Sequence, residues 1–147
     1  PPKSFPGNKP QVVRPAKPGN TIKLTTATCR IYGNQIRLEA RYRNLGFWGS
    51  AQDRAEWTIE LPQPGTYEVS IDFACPQDTA GNPFILTAGT EQLRGTVTAT
   101  KSWDNYQTKI IGKVSLPAGT SDISFRADGE PKGYLLDLRG IQLTPAP

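Results

Sequence analysis

From Thr21 onward the chain alternates apolar and polar side chains in short runs, each closed by Gly, Pro, Asn or Asp. In the best of them Tyr67, Val69, Ile71 and Phe73 are apolar while Glu68, Ser70 and Asp72 fall between. A period of two puts the first set on one face and the second on the other, as in a half-buried antiparallel strand. Trp57, Ile59 and Leu61 repeat the pattern before a turn at Pro62 to Gly65, and Ile110, Val114 and Leu116 before Pro117-Ala118-Gly119. The same signature predicts strands near 22–31, 35–42, 55–61, 66–75, 83–88, 92–99, 106–116, 121–127 and 134–143. About nine short strands with no stretch of helical period predict an all-β sandwich of two antiparallel sheets. An immunoglobulin-like sandwich is the alternative, but Cys29, Trp57 and Cys75 do not give that fold's Cys, Trp, Cys arrangement.

Ahead of Thr21 the pattern changes. Residues 1–20 hold six prolines with scattered Lys, Gly and Asn, which predicts a semi-extended linker before a domain over 21–147. The first 23 residues carry Lys3, Lys9, Arg14, Lys17 and Lys23 and no acid, so the remaining chain sets 12 basic residues (17 less 5) against 13 acidic ones. The formal charge of +4 therefore describes the linker, and the domain is nearly neutral. A solvated linker fits this better than a polyanion-binding arm, and no nucleic-acid partner is expected. No run of 18 apolar residues predicts a membrane span, and the opening Pro1-Pro2 predicts a segment of a larger protein.

The chain contains no His, which excludes a His-based triad, a zinc-hydrolase site and a His-ligated haem. Cys29 and Cys75 are too far apart in sequence for a CxxC pair, leaving a disulfide or two buried thiols. Thirteen carboxylates make some Asp/Glu pairing inevitable, but no spacing singles out the two acids of a glycosidase. Asp53 and Glu56 are the nearest candidates and read as solvated loop residues, so no enzyme is expected. Chemistry falls instead to the aromatics. Trp57 alternates with Ile59 and Leu61 and belongs to the core. Trp48 stands between glycines in Asn44-Leu45-Gly46-Phe47-Trp48-Gly49, and Trp103 in the polar segment Ser102-Trp103-Asp104-Asn105-Tyr106. A loop tryptophan beside Asp and Asn can stack on the apolar face of a sugar ring while its neighbours hydrogen-bond the hydroxyls.

Residues 36–143 resemble carbohydrate-binding modules of family 6 and their relatives. The resemblance runs in order through Ile36-Arg37-Leu38-Glu39-Ala40, Trp57-Thr58-Ile59, Pro64-Gly65-Thr66-Tyr67-Glu68-Val69, Asn82-Pro83-Phe84, Ser102-Trp103, Leu116-Pro117-Ala118-Gly119 and Leu135-Leu136-Asp137-Leu138. The chain also looks like modules appended to large multidomain proteins of planctomycete-type bacteria. The resemblance implies a jelly roll with a sugar cleft among the loops at one end, where two aromatic side chains clamp a ring. Trp103 would form one wall and Trp48, or Phe47 if the loop turns the other way, the second.

The family pattern further implies a structural calcium held partly by carboxylates of the first and last strands, here Glu39 and Asp137. The second acidic position of that pattern is Arg41, so an ion pair of Arg41 with Glu39 or Asp137 is the alternative to the metal. Where related modules place a sugar-binding Asn the chain has Leu135, which leaves the polar contacts to Asn105, Asp104 or Tyr134. The expected function is non-catalytic targeting of a larger secreted, periplasmic or cell-surface protein to a polysaccharide or oligosaccharide. The alternative is a structural or protein-interaction sandwich that has lost the sugar site.

Overall fold

The computed structural model describes residues 1–147. Eleven strands form two antiparallel sheets with no helix. The six-stranded sheet contains β1 (Ile22–Thr25), β3 (Arg37–Glu39), β4 (Asn44–Gly46), β6 (Gly65–Ala74), β9 (Gln107–Leu116) and β11 (Asp137–Pro145). Its order is β3-β4-β11-β6-β9, with β1 also pairing β11. The five-stranded sheet runs β2 (Arg30–Tyr32), β5 (Arg54–Leu61), β10 (Gly119–Ala127), β7 (Pro83–Ala88) and β8 (Glu91–Thr96). The two sheets form a jelly-roll sandwich.

The alternating strands bury the predicted faces. Ala55, Trp57, Ile59 and Leu61 of β5, and Tyr67, Val69, Ile71 and Phe73 of β6, point into one core shared by both sheets. Trp57 fixes its orientation by donating Nε1–H to the Thr25 carbonyl at 2.8 Å. Ile110 departs from prediction and is 59 % exposed, while Val114 and Leu116 are buried. The cause is a bulge: β9 pairs Gly112 with Val69 and Ile110 with Ser70, so Ile111 is the extra residue and the parity of the strand changes there. Gly112 makes the bulge feasible, with φ of 149° and a Leu93 methyl 2.7 Å from where a Cβ would stand.

Residues 1–20 lie along the sandwich rather than extending free of it. β2 covers β5 only at Arg54–Glu56, leaving the β5 edge open further along. Val13 closes that edge, donating to the Thr58 carbonyl at 2.9 Å and accepting from Glu60 N–H at 3.0 Å. Lys3 bridges to Ile31, and Asn8 Nδ2 donates to the carbonyls of Thr26 (2.8 Å) and Cys29 (2.9 Å). Phe5 and Val13 pack on the core. Cys29 and Cys75 are separate buried thiols, pushed up to about 12 and about 11, mainly by burial.

Candidate functional site: an aromatic and acidic cleft

A cleft of about 330 Å³ opens on the outer face of the six-stranded sheet. Its floor comes from β3, β4 and β11, where outward-facing Glu39, Asn44 and Asp137 alternate with buried Leu38, Leu45 and Leu138. Its walls are loop aromatics: Phe47 and Tyr134 on one side, and Trp103 and Tyr106 from the segment before β9. A register shift in β11 between Leu138 and Gly140 leaves Arg139 out of the ladder. The freed guanidinium lies 3.7 Å from the Tyr106 ring centroid, and its Nε donates to the Tyr42 carbonyl at 3.1 Å.

Phe47 and Trp48 take opposite directions. Phe47 has a φ of 55° and is 39 % exposed at the cleft, 5.9 Å from Tyr134 in an edge-on pair and with Arg37 behind it at 4.4 Å. Trp48 is fully buried, packs edge-on against Phe125 at 5.6 Å and donates Nε1–H to the Asp53 carbonyl at 3.0 Å. The expectation that Trp48 stacks on ligand is therefore corrected: the left-handed residue ahead of it turns the indole into the core, and Phe47 takes the wall. Trp48 still supports the site, because its carbonyl accepts Leu135 N–H at 2.8 Å and so ties the Tyr134 loop to Phe47. Leu135 itself is a buried core residue.

Asp53 is not a solvated loop acid. Fully buried, it accepts backbone N–H groups from Gln35 (3.0 Å), Gly49 (3.1 Å) and Ser50 (3.0 Å), which folds the loop carrying Phe47 and Trp48. Glu56 lies on the other sheet, paired with Arg30 and Arg54. On the opposite wall, buried Thr100 bonds the Cys75 backbone in both directions, at 2.7 Å from its N–H and 2.9 Å to its hydroxyl. That anchor presents Trp103 and Asp104 at the cleft. Asn105 does not line it. Its N–H closes a turn on the Ser102 carbonyl at 3.3 Å.

The floor gathers negative charge. Glu39 Oε1 and Asp137 Oδ1 come within 2.6 and 2.8 Å of the point where a Cβ on Gly46 would stand, so any side chain there would displace the carboxylates from these positions. Asn44, which also lines the cleft, is 1 % exposed and donates Nδ2–H to Glu39 at 3.0 Å, while its Oδ1 accepts no hydrogen bond from the protein. Asp137 is pushed up to about 7, first by burial and then by the Glu39 and Asp104 carboxylates. Tyr106 is also raised, chiefly by burial and by Asp137. Arg41 does not compensate this charge. The expected pair with Glu39 or Asp137 is absent, because the Arg41 guanidinium turns over the Tyr42 ring at 5.4 Å. No three His, Cys, Asp or Glu side chains converge as a metal cluster, so any cation would also need Asn44 Oδ1, water or ligand oxygens.

The residue pattern together with the family resemblance had reached Trp103, Asp104, Phe47, Tyr134, Glu39 and Asp137. It missed Asn44 on the short β4, Arg139 at the β11 bulge, Tyr42 in the turn before β4 and Tyr106 just ahead of β9.

No curated protein matches the chain in sequence. Solved structures share its fold at low identity. A family 35 carbohydrate binding module from Clostridium thermocellum superposes with a TM-score of 0.71 at 16% identity, covering 86% of this chain and 99% of that one. A family 35 module from Cellvibrio japonicus Abf62 gives 0.70 at 18% identity, covering 87% and 95%. A Podospora anserina β-(1,4)-mannanase that carries such a module gives 0.70 at 13% identity, covering 88% of this chain but 28% of the enzyme. The model of carbohydrate binding module family 6 matches residues 35–145. The chain belongs to that family, and its function is non-catalytic carbohydrate binding.

Proposed function

We propose that this cleft is the carbohydrate site. Trp103 stacks on one face of a pyranose ring, with Phe47 and Tyr134 closing the other side and Asp104 and Asn44 hydrogen-bonding its hydroxyls. The observation that carries this is the convergence of Trp103, Phe47 and Tyr134 over a polar floor, in a hollow of about 330 Å³ on the outer face of the six-stranded sheet. A shallow cleft of this kind supports weak binding, because much of a bound sugar stays in water. Calorimetric titration with a panel of oligosaccharides tests it. At least one neutral or acidic sugar is expected to bind, and Trp103→Ala to abolish that binding. Unchanged binding by the variant overturns the assignment.

The donor set fits a calcium ion bound by Glu39, Asp137 and Asn44 Oδ1, with remaining positions filled by water or sugar hydroxyls. Two close carboxylates, one raised to about 7 and neither in an ion pair with Arg139 across the cleft, favour a cation there. Bound calcium would neutralise the floor and fix the carboxylates, while Asn44 keeps Glu39 oriented. We further propose that the domain serves a larger secreted, periplasmic or cell-surface protein, holding its neighbouring domains at a polysaccharide. Residues 1–20 would join it to them.

A further inference from the structure

Beside the cleft a second hollow, of about 820 Å³, opens where the turn at residues 40–43 meets residues 25–27, and Tyr42 and Arg139 line both. Arg41 and Arg43 line it with them, and Gly7 brings the N-terminal segment to its wall. No carboxylate lines this hollow, and none of the three arginines forms an ion pair. Because the chain beyond residue 23 is nearly neutral, the meeting here of Arg41, Arg43 and Arg139, the first two without an acidic partner, is a local concentration and not a reflection of overall charge.

The arrangement is held in place before any ligand arrives. Arg43 adopts a left-handed backbone, φ 58°, secured by its N–H on the Glu39 carbonyl at 2.9 Å and by Thr26 Oγ1 donating to its own carbonyl at 3.3 Å. Arg41 lies over the Tyr42 ring, and Arg139 is fixed by Tyr106 and the Tyr42 carbonyl. Arg139 also faces Asp72, whose carboxyl burial pushes up and Arg139 only partly draws back, so Arg41 and Arg43 are the freest donors. Planar guanidinium groups match the paired oxygens of carboxylates and sulfates.

We propose that this groove is a second subsite, which takes the anionic group of a sugar residue adjoining the one in the cleft. The ligand is then an acidic polysaccharide bearing uronate carboxylates or sulfate esters. This rests on the cleft being the carbohydrate site and adds the class of glycan. Asp104 at the cleft disfavours an anion there, so the chain is read in one direction, with its charged residue on the arginines.

The test compares three oligosaccharides of one backbone and length, neutral, uronate-bearing and sulfated, by calorimetry at low and high salt. Each is titrated into the wild type, Trp103→Ala, and an Arg41→Gln/Arg43→Asn double variant, since Asn tolerates the left-handed backbone. At low salt at least one acidic ligand is expected to bind about tenfold tighter than the neutral one, as expected for charge-assisted pairing. Salt and the double variant should both erase that preference while leaving neutral binding unchanged. The uronate and sulfate arms show which anion is taken. Equal affinities in the wild type, or a preference that survives the double variant, overturn the proposal. If the double variant melts below the wild type, Arg41→Gln alone supplies the comparison. Should the arginine variants have no effect while Trp103→Ala abolishes binding, this inference falls and the cleft stands. Should Trp103→Ala also leave binding intact, the cleft assignment falls as well.

Discussion

The outer faces of the two sheets carry the same kinds of charged residue and treat them differently. On the five-stranded sheet Arg30 lies between Glu56 (3.4 Å) and Asp122 (3.6 Å), Arg54 holds the other oxygen of Glu56, and Thr58 hydrogen-bonds both Arg30 and Asp122. These four charges are partnered within the protein, and Arg126, opposite Arg54 in the ladder, stands without an ion pair. On the six-stranded sheet Glu39, Asp104 and Asp137 gather at one hollow and Arg41, Arg43 and Arg139 at the next, without an ion pair among them. Like charges left together raise the free energy of the folded state, and a ligand supplies what the protein withholds. The contrast supports the proposed reading, in which one face is scaffold and the other the binding surface.

The sharpest way to break that division lies at two adjacent aromatics. Trp48→Ala removes a fully buried indole and should lower unfolding free energy by about 3–5 kcal/mol in urea denaturation. Phe47→Ala, on the binding face, should change stability by about 1 kcal/mol or less and weaken sugar binding. Trp103→Ala should then reduce affinity by roughly ten- to a hundredfold, the equivalent of burying one large aromatic face, which takes an already weak interaction below calorimetric detection. Equal effects of Phe47→Ala and Trp48→Ala on stability would dissolve the distinction.

Titration gives a smaller effect with a defined sign. Asp137 has a folded pKa of about 7, above its ordinary 3.8, so the folded protein binds more protons than the unfolded chain between these values. Its contribution to stability is full below the lower value and is lost as pH rises through about 7. Asp137→Asn should flatten this part of the stability profile, measured by thermal melts across pH. It should also remove any stabilisation by added calcium, which in the wild type should strengthen as pH rises through 7. Gly46→Ala, which places a methyl between the two carboxylates, should likewise remove the calcium response. The smallest effect is expected on the scaffold face, where Glu56→Gln should cost about 1 kcal/mol or less and leave sugar affinity unchanged.

Much of the sandwich was legible because alternation reports burial directly, as in β5 and β6 and in β7, which runs from 83 to 88 as predicted. Non-local pairing was not. The predicted strand 22–31 is two strands, β1 and β2, which leave a turn for different sheets, and β4 is too short to show a period. One bulge reversed Ile110 and another released Arg139, and neither has a signature in single-residue preference. The proline-rich composition of residues 1–20 concealed Phe5, Asn8 and Val13, whose partners lie on β5 and around β2. At the site, the loop aromatics could be found from their glycine and polar neighbours. Which of Phe47 and Trp48 faces out depended on one left-handed residue.

Trp48 and Trp57 are fully buried, so Trp103 is the one tryptophan at the cleft. Intrinsic fluorescence during an oligosaccharide titration therefore reports on the proposed stacking wall. A saturable change in emission in the wild type, lost in Trp103→Phe together with most of the affinity, is the predicted result. A sugar that binds by calorimetry while Trp103 emission stays unchanged would contradict the account.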